Sequence, residues 1–319
     1  MIPAVSIIMP VYNGEAFIRE AIDSILLQTF KDFEFIILDD GSTDNTASII
    51  LSYADSRIKY IKNEKNIGIA KTLNIGLKHA RAPLIARMDS DDIAYPDRIK
   101  IQLDHLHKHP EITVCGTAIE INEQPYKLVV PPIKHEEICA HLLFECCLYH
   151  PTTVFRKNII MSKGGYRQAF SGAEDYDLWQ RLSVFPDISF FNIPEALLYY
   201  RTYSNTSERA SYLAKQRTLS NEIQLNNLKR LNMEPSPSSL SCHSALANPR
   251  MVNDTPSLTN CRSWLKRIEL ANQITHTYSQ YYLKKELNKR WISLCVYVAK
   301  LHLSKIKNRL SSFSKQANH

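Results

Sequence analysis

The chain has 319 residues, of which 44% are hydrophobic and 22% charged, the proportions of an ordinary soluble globular protein. Its 8 glycines exclude a collagen-like or Gly-rich chain, and its 7 cysteines have no regular spacing, which excludes a disulfide framework and favours a reducing compartment. The net charge of +7 is compatible with nucleic acid, an anionic membrane or an acidic partner. Because Met1 leads directly into an apolar strand, we expect a cytoplasmic protein.

Residues 1–120 alternate short apolar runs with amphipathic stretches, as β-α-β units around a mostly parallel sheet do. The apolar runs predict strands at 4–9, 33–38, 58–61, 84–88 and 112–115. Helical spacing of apolar residues predicts helices at 18–26, 47–54, 69–80 and 96–107. After residue 125 the pattern loosens, and the next clear helix is predicted at 176–185.

Acidic turns follow two of the predicted strands. Residues 39–44 come directly after one strand and residues 89–92 after another, where open α/β sheets place their ligand crevice. Neighbouring carboxylates repel one another unless a cation holds them, and Mg²⁺ and Mn²⁺ prefer such oxygen ligands. An Asp-x-Asp pattern is weak evidence by itself, because acidic turns also occur as solvated loops and helix caps.

The last third of the chain changes in composition. It predicts polar helices at 212–231 and 264–290, separated by a Ser-, Pro- and Asn-rich stretch near 235–260 that we interpret as a flexible linker. The apolar run at 291–303 is too short to cross a bilayer, which takes about 20 residues. Residues 262–319 carry a net charge of +10, whereas the remainder carries −3, so the basic character belongs to this end.

Five motifs together carry a family resemblance. They are VSIIMPVYN at 5–13, LDDGSTD at 38–44, NIG at 66–68, ARMDSDD at 86–92 and GAEDYDLW at 172–179. With these motifs in this order, the chain resembles the family 2 glycosyltransferases, which are inverting, nucleotide-sugar-dependent enzymes with the GT-A fold.

The resemblance implies an α/β, Rossmann-like, mostly parallel sheet flanked by helices. The GT-A catalytic domain is expected at 1–205, with a nucleotide-sugar-binding half at 1–120 and an acceptor half at 121–205. A helical, basic C-terminal extension follows at 206–319.

The resemblance also assigns a donor site. The expected nucleotide-sugar-binding residues are Pro10, Val11, Tyr12, Asp40, Asn66, Lys71, Asp89, Ser90 and Arg201. Among them, Asp40 would hydrogen-bond the base or ribose and Asp89 the ribose, while Asp91 would bind a divalent metal ion, Mn²⁺ or Mg²⁺. Tyr12 could instead be a packed turn aromatic, and Lys71 and Arg201 ordinary surface charges.

Asp175 is implied as the catalytic base, because a sugar hydroxyl is a poor nucleophile until a carboxylate accepts its proton. Glu174 is the alternative base, and a purely helix-capping role for Asp175 is a third reading. Family members often carry a His two places after Arg201, whereas this chain has Tyr203, which puts that His contact in doubt.

We therefore expect a hexosyltransferase with a UDP-sugar donor, acting on a glycan or lipid-linked glycan in bacterial surface polysaccharide, lipopolysaccharide or capsule synthesis. The alternative is a non-catalytic nucleotide-sugar-binding or scaffold protein of the same fold. The basic helices could lie on an anionic membrane, at the cytoplasmic face of the inner membrane, or pack on the catalytic domain or a second subunit as a homo-oligomer. Nucleic acid is not expected as a partner.

Overall fold

The computed structural model describes the chain over residues 1–122, 127–202, 207–251 and 256–316. Tyr203 and part of the predicted linker, 252–255, lie outside these residues. The chain divides into two compact units: the first comprises Met1–Leu142 and Cys146–Ile223, and the second comprises Leu143–Glu145 and Gln224–His319.

The first unit is built around one sheet, which has nine strands in the described part of the chain. In chain order they are β1 (Val5–Val11), β2 (Phe33–Asp39), β3 (Ile58–Lys62), β4 (Leu84–Arg87), β5 (Ile93–Ala94), β6 (Val114–Ile121), β7 (Lys127–Val129), β8 (Val154–Arg156) and β9 (Phe190–Tyr200). The strand order is β3-β2-β1-β4-β8-β6-β9-β5, with β7 paired to β6.

Strands β1 to β4 pair in parallel. Every residue of β1 and β2 is buried, because helices cover both faces, and this explains why both strands read as continuous apolar runs. In the register of the sheet Val11 pairs with Asp39, and Ile8 with Arg87. The carboxyl ends of β1, β2 and β4 therefore meet at one edge, and the turns that follow them converge there.

The sequence prediction of the sheet is confirmed for β1 to β4, and the predicted strand at 112–115 corresponds to β6. Strands β5, β7 and β8 were not predicted, since two or three residues carry no readable period. Strand β9 is long but contains Pro194, which usually argues against a strand. An irregular register between β6 and β9 accommodates it.

Helices flank the sheet on both sides. In the first unit they are α1 (Ile18–Leu26), α2 (Thr46–Leu51), α3 (Ile69–His79), α4 (Arg98–Lys108), α5 (His135–Leu142), α6 (Lys157–Ser162), α7 (Glu174–Leu182) and α8 (Ser207–Arg230), which continues into the second unit. Alternate residues of β1 enter opposite apolar clusters: Ile7 packs with Ile22 of α1, and Ile8 with Leu73 of α3. Burying each of these side chains contributes roughly 1.5–3 kcal/mol.

The second unit is helical and contains α9 (Pro237–Ala247), α10 (Leu258–Thr275) and α11 (Gln280–Gln316). Helix α9 lies inside the stretch interpreted as a linker, and its Cys242 and Leu246 are buried. Ser and Pro are common in loops, but they also mark helix starts. Here the Ser236 hydroxyl accepts a hydrogen bond from the backbone N–H of Ser239, and Pro237 begins the helix.

A single helix was predicted over 264–290, and the structure instead has two helices. The chain turns at His276, whose φ of 51° is left-handed and ends α10. The Asn272 side chain holds this turn by hydrogen bonds to the backbone N–H and carbonyl of Tyr278. None of the described helices is both long enough and apolar enough to pass through a lipid bilayer.

Candidate active site

A cavity of about 620 Å³ opens at the edge where β1, β2 and β4 end. Most of the predicted donor-site residues line it: Pro10, Val11, Tyr12, Asp40, Asn66, Asp89, Ser90 and the predicted metal ligand Asp91. The tyrosine at position 12 is 49% exposed, so one face of its ring is available to a flat ligand. The volume suits a small-molecule ligand of several rings.

Asp40 lies at the floor of this cavity and is only 4% exposed. Its Oδ1 accepts hydrogen bonds from the Asn63 side chain at 2.8 Å and from the Ile67 backbone N–H at 2.9 Å. Its Oδ2 accepts a hydrogen bond from the Gly68 N–H at 2.9 Å. Three donors thus fix the orientation of this carboxylate before any ligand arrives.

The turn after Asp40 depends on a glycine. Gly41 has a φ of 78°, and a Cβ atom placed there would lie 2.6 Å from the backbone of a neighbouring loop. The preceding Asp39 holds the turn, because its two oxygens accept from the Ser42 N–H and the Tyr60 hydroxyl, both at 2.7 Å. Of the two adjacent aspartates, Asp40 faces the cavity and Asp39 is structural.

Three carboxylates gather in the loop after β4. One oxygen each of Asp89, Asp91 and Asp92 lies within 4.8 Å of the others. Asp92 is buried, its Oδ1 accepts from the Arg201 backbone N–H, and its Oδ2 has no hydrogen-bond partner. Burial and the nearby charges of Asp89 and Asp91 raise the pKa of Asp92 well above its usual value. A hard divalent cation fits this set of oxygen ligands and would relieve the repulsion.

Arg87 is the buried cation of the site. It lies at the end of β4, is 2% exposed, and its guanidinium is paired with Asp89. Burial opposes the charge of Arg87, but Asp89, with smaller contributions from Tyr166 and Glu174, outweighs it, so the pKa of the guanidinium is raised. The same positive charge partly offsets the rise that burial causes in the pKa of Glu174 and of Asp175. Arg87 therefore interacts with the acidic groups on both sides of it.

Glu174 and Asp175 occupy the first turn of α7. The Glu174 carboxylate accepts from the Gly172 N–H at 2.7 Å, which ties it to the start of the helix. Asp175 accepts from the Tyr176 N–H through Oδ1, and its Oδ2 lies 3.8 Å from the Cys146 thiol. Burial raises the pKa of both acids, and the adjacent Asp175 charge adds to this at Glu174. The hydrogen bond to Gly172 makes Glu174 the cap of the helix, so Asp175 is the better placed of the two for proton transfer.

Two predicted cations do not line the cavity. Lys71 is exposed on α3, and the Arg201 guanidinium is paired with Glu20 at 2.8 Å and lies 4.4 Å above the Phe17 ring. Their assignment to the donor therefore stays a prediction. Glu174 and Asp175 also lie beside the cavity, whose wall includes the loop residue Gly172 just before them.

Among the cavity residues that were not predicted from the sequence, Tyr212 and Lys215 belong to α8. Tyr212 is 52% exposed, and its ring lies close to Gly172, in the loop just before the acidic pair. Tyr212 and Lys215 are three residues apart in the sequence, a spacing that places two side chains on one face of a helix. Because residues 206–319 were predicted to form a separate extension, this face was not predicted to be part of the site.

Two comparisons of sequence place these features among known proteins. The family model described as glycosyl transferase family 2 matches residues 6–161. The O-antigen biosynthesis glycosyltransferase WbnJ of Escherichia coli is 34% identical over 215 residues, which are 65% of this chain and 83% of that protein.

Solved structures with a similar fold also exist. TarS 1-349 of S. aureus, in complex with UDP-GlcNAc, has a TM-score of 0.60 and 17% identity, covering 91% of this chain and 90% of that one. The mannosyltransferase PcManGT of Pyrobaculum calidifontis, in complex with GDP-Man and Mn²⁺, has a TM-score of 0.58 and 16% identity, covering 93% and 87%. At such identities the likeness is one of fold.

Proposed function

The chain belongs to glycosyl transferase family 2, and we propose that this glycosyltransferase moves a hexose, with inversion, from a nucleoside diphosphate sugar to an acceptor hydroxyl. The observation that carries the proposal is the cavity in which Asp40, Asp89 and Asp91 meet at the strand ends, with Asp175 beside it. The UDP-GlcNAc bound by TarS supports UDP as the favoured nucleotide.

Donor binding follows from the shape of the cavity. The exposed face of Tyr12 would stack on the base, and Asp40 would accept a hydrogen bond from its edge. Asp89 would bind the ribose, while its pairing with Arg87 keeps the carboxylate in one orientation. The first half of the sheet thereby positions the nucleotide.

Asp91 would hold Mn²⁺ or Mg²⁺ at the diphosphate. The Mn²⁺ in the PcManGT complex supports a divalent metal, and the clustered oxygens of this chain fit one. A bound cation of this kind supplies positive charge to the diphosphate as it departs. The carboxylates of the chain keep the donor in place while the bond to the sugar breaks.

Asp175 would act as the general base. The proton of the acceptor hydroxyl passes to Asp175 Oδ2 while the hydroxyl oxygen bonds to the anomeric carbon. The bond from that carbon to the diphosphate breaks, and its electron pair leaves with the diphosphate, so the configuration inverts. The raised pKa of Asp175 makes it a better proton acceptor than an exposed aspartate.

The biological setting is proposed from the relative and the charge. The O-antigen role of WbnJ supports surface polysaccharide, lipopolysaccharide or capsule synthesis, with a glycan or lipid-linked glycan as acceptor at the cytoplasmic face of the inner membrane. Helix α11 exposes Ile292, Val296 and Leu303, which share one helical face beside lysines. Such a face suits an anionic bilayer.

Flotation with phosphatidylglycerol vesicles tests the membrane contact. We expect binding that weakens with added salt and is lost in Ile292→Asp, because that substitution places a charge in the apolar row. Salt-independent self-association of the protein in the absence of vesicles, abolished by the same substitution, would instead identify the row as an interface between two copies.

The experiment on the activity is to measure nucleoside diphosphate release from a panel of UDP- and GDP-sugars, with Mn²⁺ and with Mg²⁺. Asp91→Ala and Asp175→Ala should both lose turnover, whereas Asp104→Ala, at an exposed position of α4, should not. Full turnover in both site variants would overturn the mechanism. Donor-dependent thermal stabilisation without transfer to any acceptor would favour the non-catalytic alternative.

A further inference from the structure

We propose that the start of α8 forms a wall of the donor site and that the Lys215 ammonium binds the diphosphate. This inference rests on the proposed function of the cavity. It extends that function to a residue that lies beyond the predicted catalytic domain, in a helix that none of the five sequence motifs includes.

One face of α8 carries the evidence. Tyr212, Lys215, Leu219 and Ile223 follow one another at intervals of three and four residues, so they lie on the same side of the helix. Ile223 is buried in the apolar cluster that covers one face of the sheet, and Leu219 packs against that cluster. These two side chains hold the helix, and the two preceding turns of the same face reach the cavity.

Gly172 shows how closely α8 approaches. A Cβ atom at this glycine would lie 3.8 Å from the Tyr212 ring and 3.9 Å from Leu219. Gly172 also lines the cavity and stands directly before the Glu174 and Asp175 pair. The helix therefore packs against the loop that leads to the proposed base, and Leu219 and Ile223 anchor it to the apolar cluster.

The charges of the cavity identify what Lys215 does. Among the described residues that line it, the acidic ones are Asp40, Asp89 and Asp91, and Lys215 is the sole Lys or Arg. A nucleoside diphosphate brings at least two negative charges to this acidic wall, so a cation of the chain near the phosphates would add to the charge that a divalent ion supplies. A lysine ammonium is a compact charge that suits phosphate oxygens without a fixed geometry.

The other cations near the site are engaged elsewhere. Arg87 is buried against Asp89, Arg201 is paired with Glu20, and Lys71 lies outside the cavity wall. Lys215 is exposed, so its long side chain can follow the ligand as it enters. The geometry points to this residue rather than to those predicted from the sequence.

The test compares two ligands that differ only in phosphate: UDP and uridine, or GDP and guanosine if the donor panel identifies a GDP-sugar. Binding is measured by calorimetry at fixed Mn²⁺ for the full chain and for Lys215→Ala, Lys215→Arg and Lys71→Ala. Loss of one charge-assisted contact should weaken the diphosphate about 10- to 100-fold in Lys215→Ala. Nucleoside affinity should change less than about twofold, and Lys215→Arg should retain most of the diphosphate affinity.

Three results would count against the inference. They are unchanged diphosphate affinity in Lys215→Ala, an equal loss for nucleoside and diphosphate, and an equal loss in Lys71→Ala. Each of these leaves the proposed function intact, provided that the unmodified chain binds and turns over a nucleotide sugar. Failure of the unmodified chain to bind any nucleotide sugar would instead remove the proposed function itself. Because Lys215 is exposed, melting temperatures should confirm that its variants remain folded.

Discussion

The catalytic unit contains two clusters of carboxylate side chains, and their surroundings differ. The strand-end group, Asp89, Asp91 and Asp92, follows β4 and places two of its members in the cavity wall. The helix-start pair, Glu174 and Asp175, lies at the beginning of α7, behind that wall, where burial raises the pKa of both carboxyls. Carboxylates that line the cavity suit ligand and cation contacts, and carboxyls with a raised pKa suit proton transfer.

The largest effect is expected at the helix-start pair. Asp175→Asn removes the proposed base but keeps an acceptor for the Tyr176 N–H, so the fold should persist. Turnover should fall by about 10²- to 10⁴-fold, the usual contribution of a general base. Nucleoside diphosphate binding, measured by calorimetry, should be unchanged.

Glu174→Gln is the matched variant for the same experiment. Its amide oxygen can still accept from the Gly172 N–H, so turnover should fall much less than in Asp175→Asn. If the two variants lose turnover in the opposite order, Glu174 is the base and Asp175 is the cap.

The strand-end group should give the next largest effect, and this effect should extend to metal-dependent donor binding. Asp91→Asn weakens the oxygen ligands for a divalent cation, and turnover should fall about 10²-fold. Mn²⁺-dependent donor binding should fall with it, whereas binding of the bare nucleoside should not. If the unmodified chain bound the donor equally well with and without Mn²⁺, the strand-end group would not be a cation site, and the proposed difference between the two groups would be wrong.

Arg87 links the two groups, and its removal should change the pH dependence. Protonated Asp175 cannot accept a proton, so turnover should rise as pH increases through its pKa. Because the Arg87 charge lowers that pKa, Arg87→Met should move this rise to higher pH by about one unit. The measurement is the pH profile of kcat/KM, with Arg87→Lys as the control that keeps the charge. An unshifted profile in Arg87→Met would show that the buried cation does not act on the base.

The smallest effect is expected at Asp92, although it belongs to the strand-end group. Its Oδ1 accepts from the Arg201 N–H, a contact that an asparagine retains, and it does not line the cavity. Asp92→Asn removes one of three mutually repelling charges, so the melting temperature should rise slightly and turnover should stay within about threefold. A loss as large as that of Asp91→Asn would make Asp92 a cation ligand too.

The sequence predicted the GT-A fold and the donor edge of the sheet, and the structure confirms the fold. Strands β1 to β4 were readable because both faces are buried, so each is a continuous apolar run that ends in a turn motif. Parallel pairing then brings those ends together, as the prediction required. For β1 to β4, the local sequence pattern therefore agrees with the position of each strand in the sheet.

The rest of the site depends on contacts that no local pattern records. Arg201 looked like a phosphate ligand, but Glu20, far away in sequence, engages its guanidinium. Helix α8 looked like the beginning of an extension, but Leu219 and Ile223 pack it into the catalytic unit. Which cations reach the donor is decided by packing, and the site assignments stay predictions until the variants are measured.

Asp40 has a further consequence for how a base is oriented in the cavity. An ionised carboxylate offers about four lone-pair positions, and Asn63, Ile67 and Gly68 occupy three of them. The remaining position can accept one hydrogen bond from an incoming base. Uracil and guanine can donate it from a ring N–H, and adenine and cytosine from an exocyclic amino group. A single oxygen lone pair thus determines which edge of the base must face Asp40, and so the direction in which the ribose and diphosphate leave the base.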